Sequence, residues 1–162
     1  MAQGELWNSV EAERMADFTI LMAEDDPDDR FLMEQAFLEI GNHADLRFVE
    51  DGEELIHYLL RSGKYSDAAL SPRPVLIFLD LNMPKKGGRQ ALLEIKADPD
   101  LQRIPVVIWT TSDEREDKIY SKKAGADAFV TKPANYAELI NSVKAFVSKY
   151  SSQGTAANRI SS

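Results

Sequence analysis

Five short apolar runs alternate with segments of helical periodicity, and this alternation limits the fold more than any other feature of the chain. The runs are Thr19–Ala23, Leu46–Val49, Val75–Leu79, Val106–Trp109 and Ala128–Thr131, rich in β-branched and aromatic residues. Their apolarity is continuous rather than confined to every second residue, as in strands buried on both faces. Such strands, separated by helix-length segments, need right-handed crossovers and lie parallel. The sequence therefore predicts an α/β three-layer sandwich, a five-stranded parallel sheet doubly wound by five helices.

The helices carry their own signals. The first starts at Asp26-Pro27-Asp28-Asp29, where an acidic N-cap, a proline at the first helical position and further acids at the positive dipole end agree. Phe31, Leu32, Ala36, Phe37 and Ile40 are expected as its inner stripe. A second helix follows Asp51-Gly52 with Leu55, Ile56, Leu59 and Leu60, and a third follows Gly87-Gly88 with Ala91, Leu92 and Ile95. The last, Tyr136 to Tyr150, repeats Leu139, Ile140, Val143, Phe146, Val147 and Tyr150 at helical spacing. Between Ser112 and Ala124 the only sizeable apolar residues are Ile119 and Tyr120, so the fourth helix is weakly anchored and free to shift without large loss of burial.

With 162 residues, 44% of them hydrophobic, the chain suits one domain, placed at residues 17–150. Residues 1–16 are expected as a disordered or helical N-terminal extension, and residues 151–162 as a frayed polar C-terminal tail. No apolar run reaches membrane-spanning length and the N-terminus lacks a secretory layout, so the expected location is cytoplasmic, with no membrane contact. The chain has no cysteine and only two histidines, His43 and His57, so any metal must bind oxygen. The net charge of −8 is concentrated early: residues 1–54 hold sixteen Asp/Glu against three Lys/Arg. That balance argues against direct nucleic-acid binding, which needs a basic surface.

Ligands of a parallel sheet sit beyond the carboxyl ends of its strands. Here those ends are Glu24-Asp25-Asp26, Asp80, Thr110-Thr111 and Lys132-Pro133. Carboxylates converging at one edge repel each other and must take up a proton or a cation. Oxygen ligands alone favour Mg²⁺ or Mn²⁺. With the charge so screened, an Asp80 oxygen can attack phosphorus while Lys132 and the Thr110 hydroxyl face phosphoryl oxygens. Each residue also has an ordinary explanation: Asp26 as a helix cap, Asp80 as a turn residue, Thr110 bonding strand-end backbone, Lys132 as a solvated charge, Phe129 and Trp109 as core aromatics. Only their conjunction, in order and at strand ends, speaks for chemistry.

Taken together, Glu24-Asp25-Asp26 after an apolar strand, Phe78-Leu79-Asp80-Leu81-Asn82-Met83-Pro84, Ile108-Trp109-Thr110-Thr111-Ser112 and Phe129-Val130-Thr131-Lys132-Pro133 resemble the receiver domain of two-component response regulators. Asp80 to Thr110 spans 30 residues and Thr110 to Lys132 spans 22, in keeping with that family. The resemblance implies the flavodoxin-like receiver fold and the following roles. Glu24 and Asp25 hold the metal together with Asp80, the phosphoacceptor, and the Asn82 backbone carbonyl. Thr110 is the switch hydroxyl, Phe129 the switch aromatic and Lys132 the phosphate-binding lysine, with a Lys132–Pro133 bond that is usually cis in the family. Asn82 and Ser112 stand where relatives tune dephosphorylation. Implied partners are a sensor histidine kinase, docking near the first helix beside Phe31, and a second copy of the chain through helix four, strand five and helix five. The narrower likeness is to small stand-alone regulators paired with phytochrome-type kinases, which share the Glu-Asp-Asp-Pro start and the stretch Met83-Pro84-Lys85-Lys86-Gly87-Gly88. One departure is length: Asp25 to Asp80 is 55 residues, and the excess is assigned to Arg61–Arg73 as an extended surface connection away from the site.

Other classes fit less well. A flavin-binding protein of this architecture needs a phosphate loop where Glu24-Asp25-Asp26 stands. An aspartate-nucleophile phosphohydrolase wants an acid two residues after Asp80, and position 82 is Asn. A pseudo-receiver that never takes phosphate typically lacks one of the acids, the acceptor or the lysine, and all are present. Only thirty residues follow Lys132. No DNA-binding or enzymatic output domain is expected there, so the chain is read as a phosphoacceptor signalling domain rather than an enzyme, acting through protein contacts.

Overall fold

The strands form where the apolar runs predict them. They are β1 (Phe18–Ala23), β2 (Ala44–Val49), β3 (Pro74–Leu79), β4 (Val106–Thr110) and β5 (Ala128–Thr131). The computed structural model describes the backbone of residues 18–41 and 43–161, and side chains among these as far as Ser151. The expected N-terminal extension, residues 1–16, lies outside the described residues. All strands pair in parallel in the order β2-β1-β3-β4-β5. That order brings the ends of β1 and β3 side by side, with Ala23 paired to Leu79.

Five helices cover the sheet: α1 (Pro27–Ile40), α2 (Gly52–Leu60), α3 (Gly88–Ala97), α4 (Arg115–Lys123) and α5 (Tyr136–Ser161). Alternate strand residues feed two cores. Leu21, Ile77, Leu79 and Ile108 pack with α2 and α3 on one face; Ile20, Met22, Phe78 and Trp109 pack with α1 and α5 on the other. Asp26 caps α1 by accepting from the Asp28 N–H at 2.8 Å, and Asp51 caps α2 by accepting from the Glu54 N–H at 2.8 Å.

The inner stripe of α1 differs from the expected one. Met33, Ala36 and Phe37 are buried and Ile40 half-buried, whereas Phe31 and Leu32 are exposed. Positions 33, 36, 37 and 40 follow helical spacing, and Phe31 and Leu32 fall outside that stripe. Leu60, at the last turn of α2, is likewise exposed. The apolar stripe of α5 lies as expected, but its backbone stays helical to Ser161, through the segment read as a frayed tail.

Arg61–Arg73 is not an extended connection. It contains two 3₁₀ turns, Gly63–Tyr65 and Ala68–Leu70, and packs back on α2. Tyr58 Oη donates to the Pro72 carbonyl at 2.6 Å, Tyr65 Oη to Glu54 Oε1 at 2.5 Å, and the Ser71 hydroxyl, fully enclosed, to the Tyr65 carbonyl at 2.9 Å. These local bonds satisfy a backbone that would otherwise need water.

The weak anchoring of α4 is present as expected. Its buried residues are Asp117 and Ser121, and Ile119 is exposed. By contrast α3 buries Ala91, Leu92 and Ile95 completely, and a buried Leu or Ile contributes about 1.5–3 kcal/mol.

Candidate functional site

Backbone bonds at the strand ends build the site. The Glu24 N–H donates to the Val49 carbonyl at 2.9 Å and the Asp80 N–H to the Ala23 carbonyl at 3.2 Å, so the two acids stand on adjacent strands at one level. The Lys132 N–H donates to the Thr110 carbonyl at 2.7 Å, which seats the lysine just beyond β5, beside the end of β4. From there its flexible stem brings Nζ to Glu24 Oε1 at 2.5 Å, Asp29 Oδ2 at 2.7 Å and Asp80 Oδ2 at 3.1 Å. None of the described peptide bonds is cis, so the Lys132–Pro133 bond is trans, contrary to the expectation from the resemblance. The four-carbon stem reaches the carboxylates without it.

Glu24, Asp25 and Asp80 each offer an oxygen within 4.8 Å of the others. Glu24 is fully buried, Asp80 nearly so, and Asp25 faces solvent. Glu24 Oε2 is buried with no hydrogen-bond partner, and burial followed by the neighbouring Asp80 pushes the Glu24 carboxyl up to about 9, against the opposing pull of Lys132. An unpaired buried oxygen in a group of carboxylates is what a hard divalent cation satisfies. The donor set therefore fits Mg²⁺ or Mn²⁺. Burial opposes the charge on Lys132, but its bonds to Asp29 and Glu24 and the charge of Asp80 prevail and hold the ammonium above its ordinary value. Asp29 is held below its ordinary value for the matching reason: burial is overcome by the bonds to Lys132 and Glu24.

The Asp80 carboxylate is held at both oxygens, Oδ2 by Lys132 and Oδ1 by the Asn82 N–H at 3.1 Å. Beneath it, a Cβ on Gly88 would stand 2.0 Å from the Asp80 carbonyl oxygen, so only glycine lets α3 begin this close to the site. The Thr110 hydroxyl is buried and accepts from the Ser112 N–H at 3.4 Å; no hydrogen bond joins it to Asp80 among the described residues. Phe129 is half-buried and lines a cavity of about 510 Å³ between α4 and β5, with Lys118 Nζ 6.0 Å from its ring centre.

Glu24, Asp25, Asp80 and Lys132 thus come together and the Asn82 N–H bonds Asp80, whereas the Thr110 hydroxyl is bonded to Ser112 and Phe129 lies at the cavity between α4 and β5. Asp26 is a helix cap. Asp29 was missed as a member of the cluster, because its contact with Lys132 spans 103 residues and no local pattern marks it.

Comparisons with known proteins agree with this geometry. The response regulator receiver domain family matches residues 20–144. The chain is 40% identical to the response regulator Rcp1 of Synechocystis sp. over 125 residues, 77% of this chain and 83% of that protein. Among solved structures, the phosphorylated cyanobacterial phytochrome response regulator RcpA superposes with a TM-score of 0.75 at 38% identity, covering 82% of this chain and 93% of that one. The Mn²⁺-bound form of Rcp1 gives 0.74 at 39%, covering 81% and 92%. Flavodoxin-like architecture, strand-end acids and sequence agree: the chain belongs to the response regulator receiver domain family.

Proposed function

We propose that Asp80 accepts a phosphoryl group from the phosphohistidine of a sensor histidine kinase and that the chain signals by the change in protein surface that follows. The carrying observation is the convergence of Lys132 Nζ with Glu24 and Asp80, beside Asp25, at the ends of β1 and β3. Glu24, Asp25, Asp80 and the Asn82 backbone carbonyl are the ligands we assign to Mg²⁺, or Mn²⁺ in its place, which supplies positive charge for the phosphoryl oxygens. The solved Mn²⁺-bound form of Rcp1 supports that assignment.

In the transfer, an Asp80 carboxylate oxygen forms the new O–P bond as the N–P bond breaks and its electron pair returns to the imidazole nitrogen. Lys132 turns from Glu24 and holds an ammonium against a phosphoryl oxygen. Thr110 moves toward Asp80 and donates to another. Phe129, already at the wall of a cavity, swings into the space released, and α4, lacking apolar anchors, shifts with it. The same residues assist transfer and hydrolysis at Asp80 only, so the role is signalling rather than turnover of an outside substrate.

The partner we assign is a histidine kinase of the phytochrome type, a reading supported by the likeness to the phytochrome response regulator RcpA. The exposed surface of α4, β5 and α5 is the homodimer face; light scattering with and without beryllofluoride tests it, and a monomer in both states excludes it. The acidic balance of the chain argues against direct nucleic-acid contact.

Mixing the protein with Mg²⁺ and acetyl phosphate tests the central reading. One added phosphoryl mass, absent from Asp80→Asn, is expected. An unchanged mass, or labelling that survives the substitution, overturns it.

A further inference from the structure

Helix α4 is held by polar bonds in place of a core. Asp117 Oδ1 accepts from Arg89 Nη2 at 2.5 Å and Asp117 Oδ2 accepts from the Ser112 hydroxyl at 2.5 Å. Tyr120 Oη adds a bond to the Arg89 carbonyl at 3.2 Å. Asp117 is one of two buried residues of α4, and the bonds from Ser112 and then Arg89 hold its carboxyl below the ordinary value. Both partners lead to the phosphoacceptor region. Arg89 follows Gly88, which abuts the Asp80 carbonyl, and Ser112 N–H bonds the Thr110 hydroxyl. Asp117 is therefore the central link in a chain of contacts running from the Asp80 backbone through the first turn of α3 and the β4–α4 turn to Thr110.

We propose that Arg89, Asp117 and Ser112 form a clasp that holds α4 in the unphosphorylated arrangement, with Asp117 as a positioning residue that biases Asp80 against phosphoryl binding. The proposal rests on Asp80 as phosphoacceptor. Ser112 and Thr110 are two residues apart and joined by a hydrogen bond, so drawing the Thr110 hydroxyl toward Asp80 drags Ser112. Arg89, meanwhile, stems from the first turn of α3, which is tied to the segment after β3 by the Gly88 N–H bond to the Leu81 carbonyl at 3.2 Å. A carboxylate bonded to both must give up one. The clasp is thus present in one state and broken in the other, and any contact with that property sets a coupling free energy between the states.

Removal of the clasp then favours the phosphorylated arrangement. Beryllofluoride, in the presence of Mg²⁺, is titrated calorimetrically into the intact chain and into Asp117→Asn, Arg89→Ala and Arg89→Lys. Asp117→Asn and Arg89→Ala are expected to bind beryllofluoride about fivefold tighter or more, with the conservative Arg89→Lys close to the parent. A purely structural role predicts lower unfolding stability with unchanged or weaker beryllofluoride binding. That result in both Asp117→Asn and Arg89→Ala overturns the clasp while leaving Asp80 as acceptor. The two variants attack the clasp from different helices, so poor folding of one leaves the other decisive. If the parent chain binds no beryllofluoride, the phosphoacceptor reading fails and the clasp with it.

Discussion

Lys132 Nζ lies 2.5 Å from Glu24 Oε1, closer than its 3.1 Å approach to Asp80 Oδ2. The lysine is therefore first the counter-ion of Glu24 and only second that of Asp80, the proposed acceptor. A divalent cation entering beside Glu24 meets a positive charge already there, and two cations at such range repel by kcal/mol amounts in a partly buried cleft.

Lys132→Met follows directly. With the ammonium gone, Mg²⁺ is expected to bind about tenfold tighter or more, because a competing charge is lost. Acetyl phosphate labelling of Asp80 should fall sharply in the same protein, because no group replaces the ammonium at the phosphoryl oxygens. Trp109, buried beside Phe78 with ring centres 5.4 Å apart and directly preceding Thr110, offers the emission signal for the Mg²⁺ titration. Equal or weaker Mg²⁺ affinity in Lys132→Met would remove the counter-ion role.

Gly88→Ala tests the close approach of α3. Its Cβ would sit 2.0 Å from the Asp80 carbonyl oxygen and 2.7 Å from the Leu81 Cα, both backbone atoms that cannot step aside. Overpacking of this kind costs about 1–3 kcal/mol, and here the displaced backbone carries Asp80, the proposed acceptor. Urea unfolding should show the loss, and phosphoryl labelling should fall with it. A stable Gly88→Ala with normal labelling would mean that α3 can withdraw freely.

The segment Arg61–Arg73 has a pH signature. Burial pushes the Glu54 carboxyl up, but the bonds from Tyr65, the Glu50 N–H and Lys64 prevail and leave it below its ordinary 4.5. A carboxyl depressed by folding contributes stability that is present above 4.5 and lost as pH falls through the depressed value. Tyr65→Phe should therefore cost about 1–2 kcal/mol at neutral pH, discounted for partial exposure of Glu54, and the gap to the parent should narrow as pH falls below 4.5. A pH-independent gap in urea unfolding would point to lost ring packing instead.

The strands and the acids at their ends were legible because each depends on local pattern: a continuous apolar run ends, and a carboxylate, hydroxyl or lysine follows. Contacts between distant elements were not. Asp29 meets Lys132 across 103 residues and Arg89 meets Asp117 across 28, and nothing near any of the four residues announces the partner. The phase of α1 failed for another reason. Phe31, Leu32, Met33, Ala36, Phe37, Leu38 and Ile40 offer apolar residues all round the helix, so periodicity alone does not choose among faces. Packing against β1, β3 and α5 chose Met33, Ala36 and Phe37.

That outcome leaves Phe31 58% exposed near the start of α1, two residues beyond Asp29 and on a different face of the helix. Exposed apolar side chains are common on protein surfaces, but this one is aromatic and lies near the strand ends that carry Asp80, where the proposed histidine kinase must bring its phosphohistidine. Phe31→Ala removes no buried contact, so stability should change by no more than about 0.5 kcal/mol. Acetyl phosphate reaches Asp80 without touching α1, and its labelling rate should be unchanged. Phosphotransfer from a phosphorylated kinase should slow about tenfold, the effect of losing one aromatic anchor at an interface. Equal slowing with both donors would move the effect of Phe31 into the site itself, and no slowing with either would place the kinase on another face.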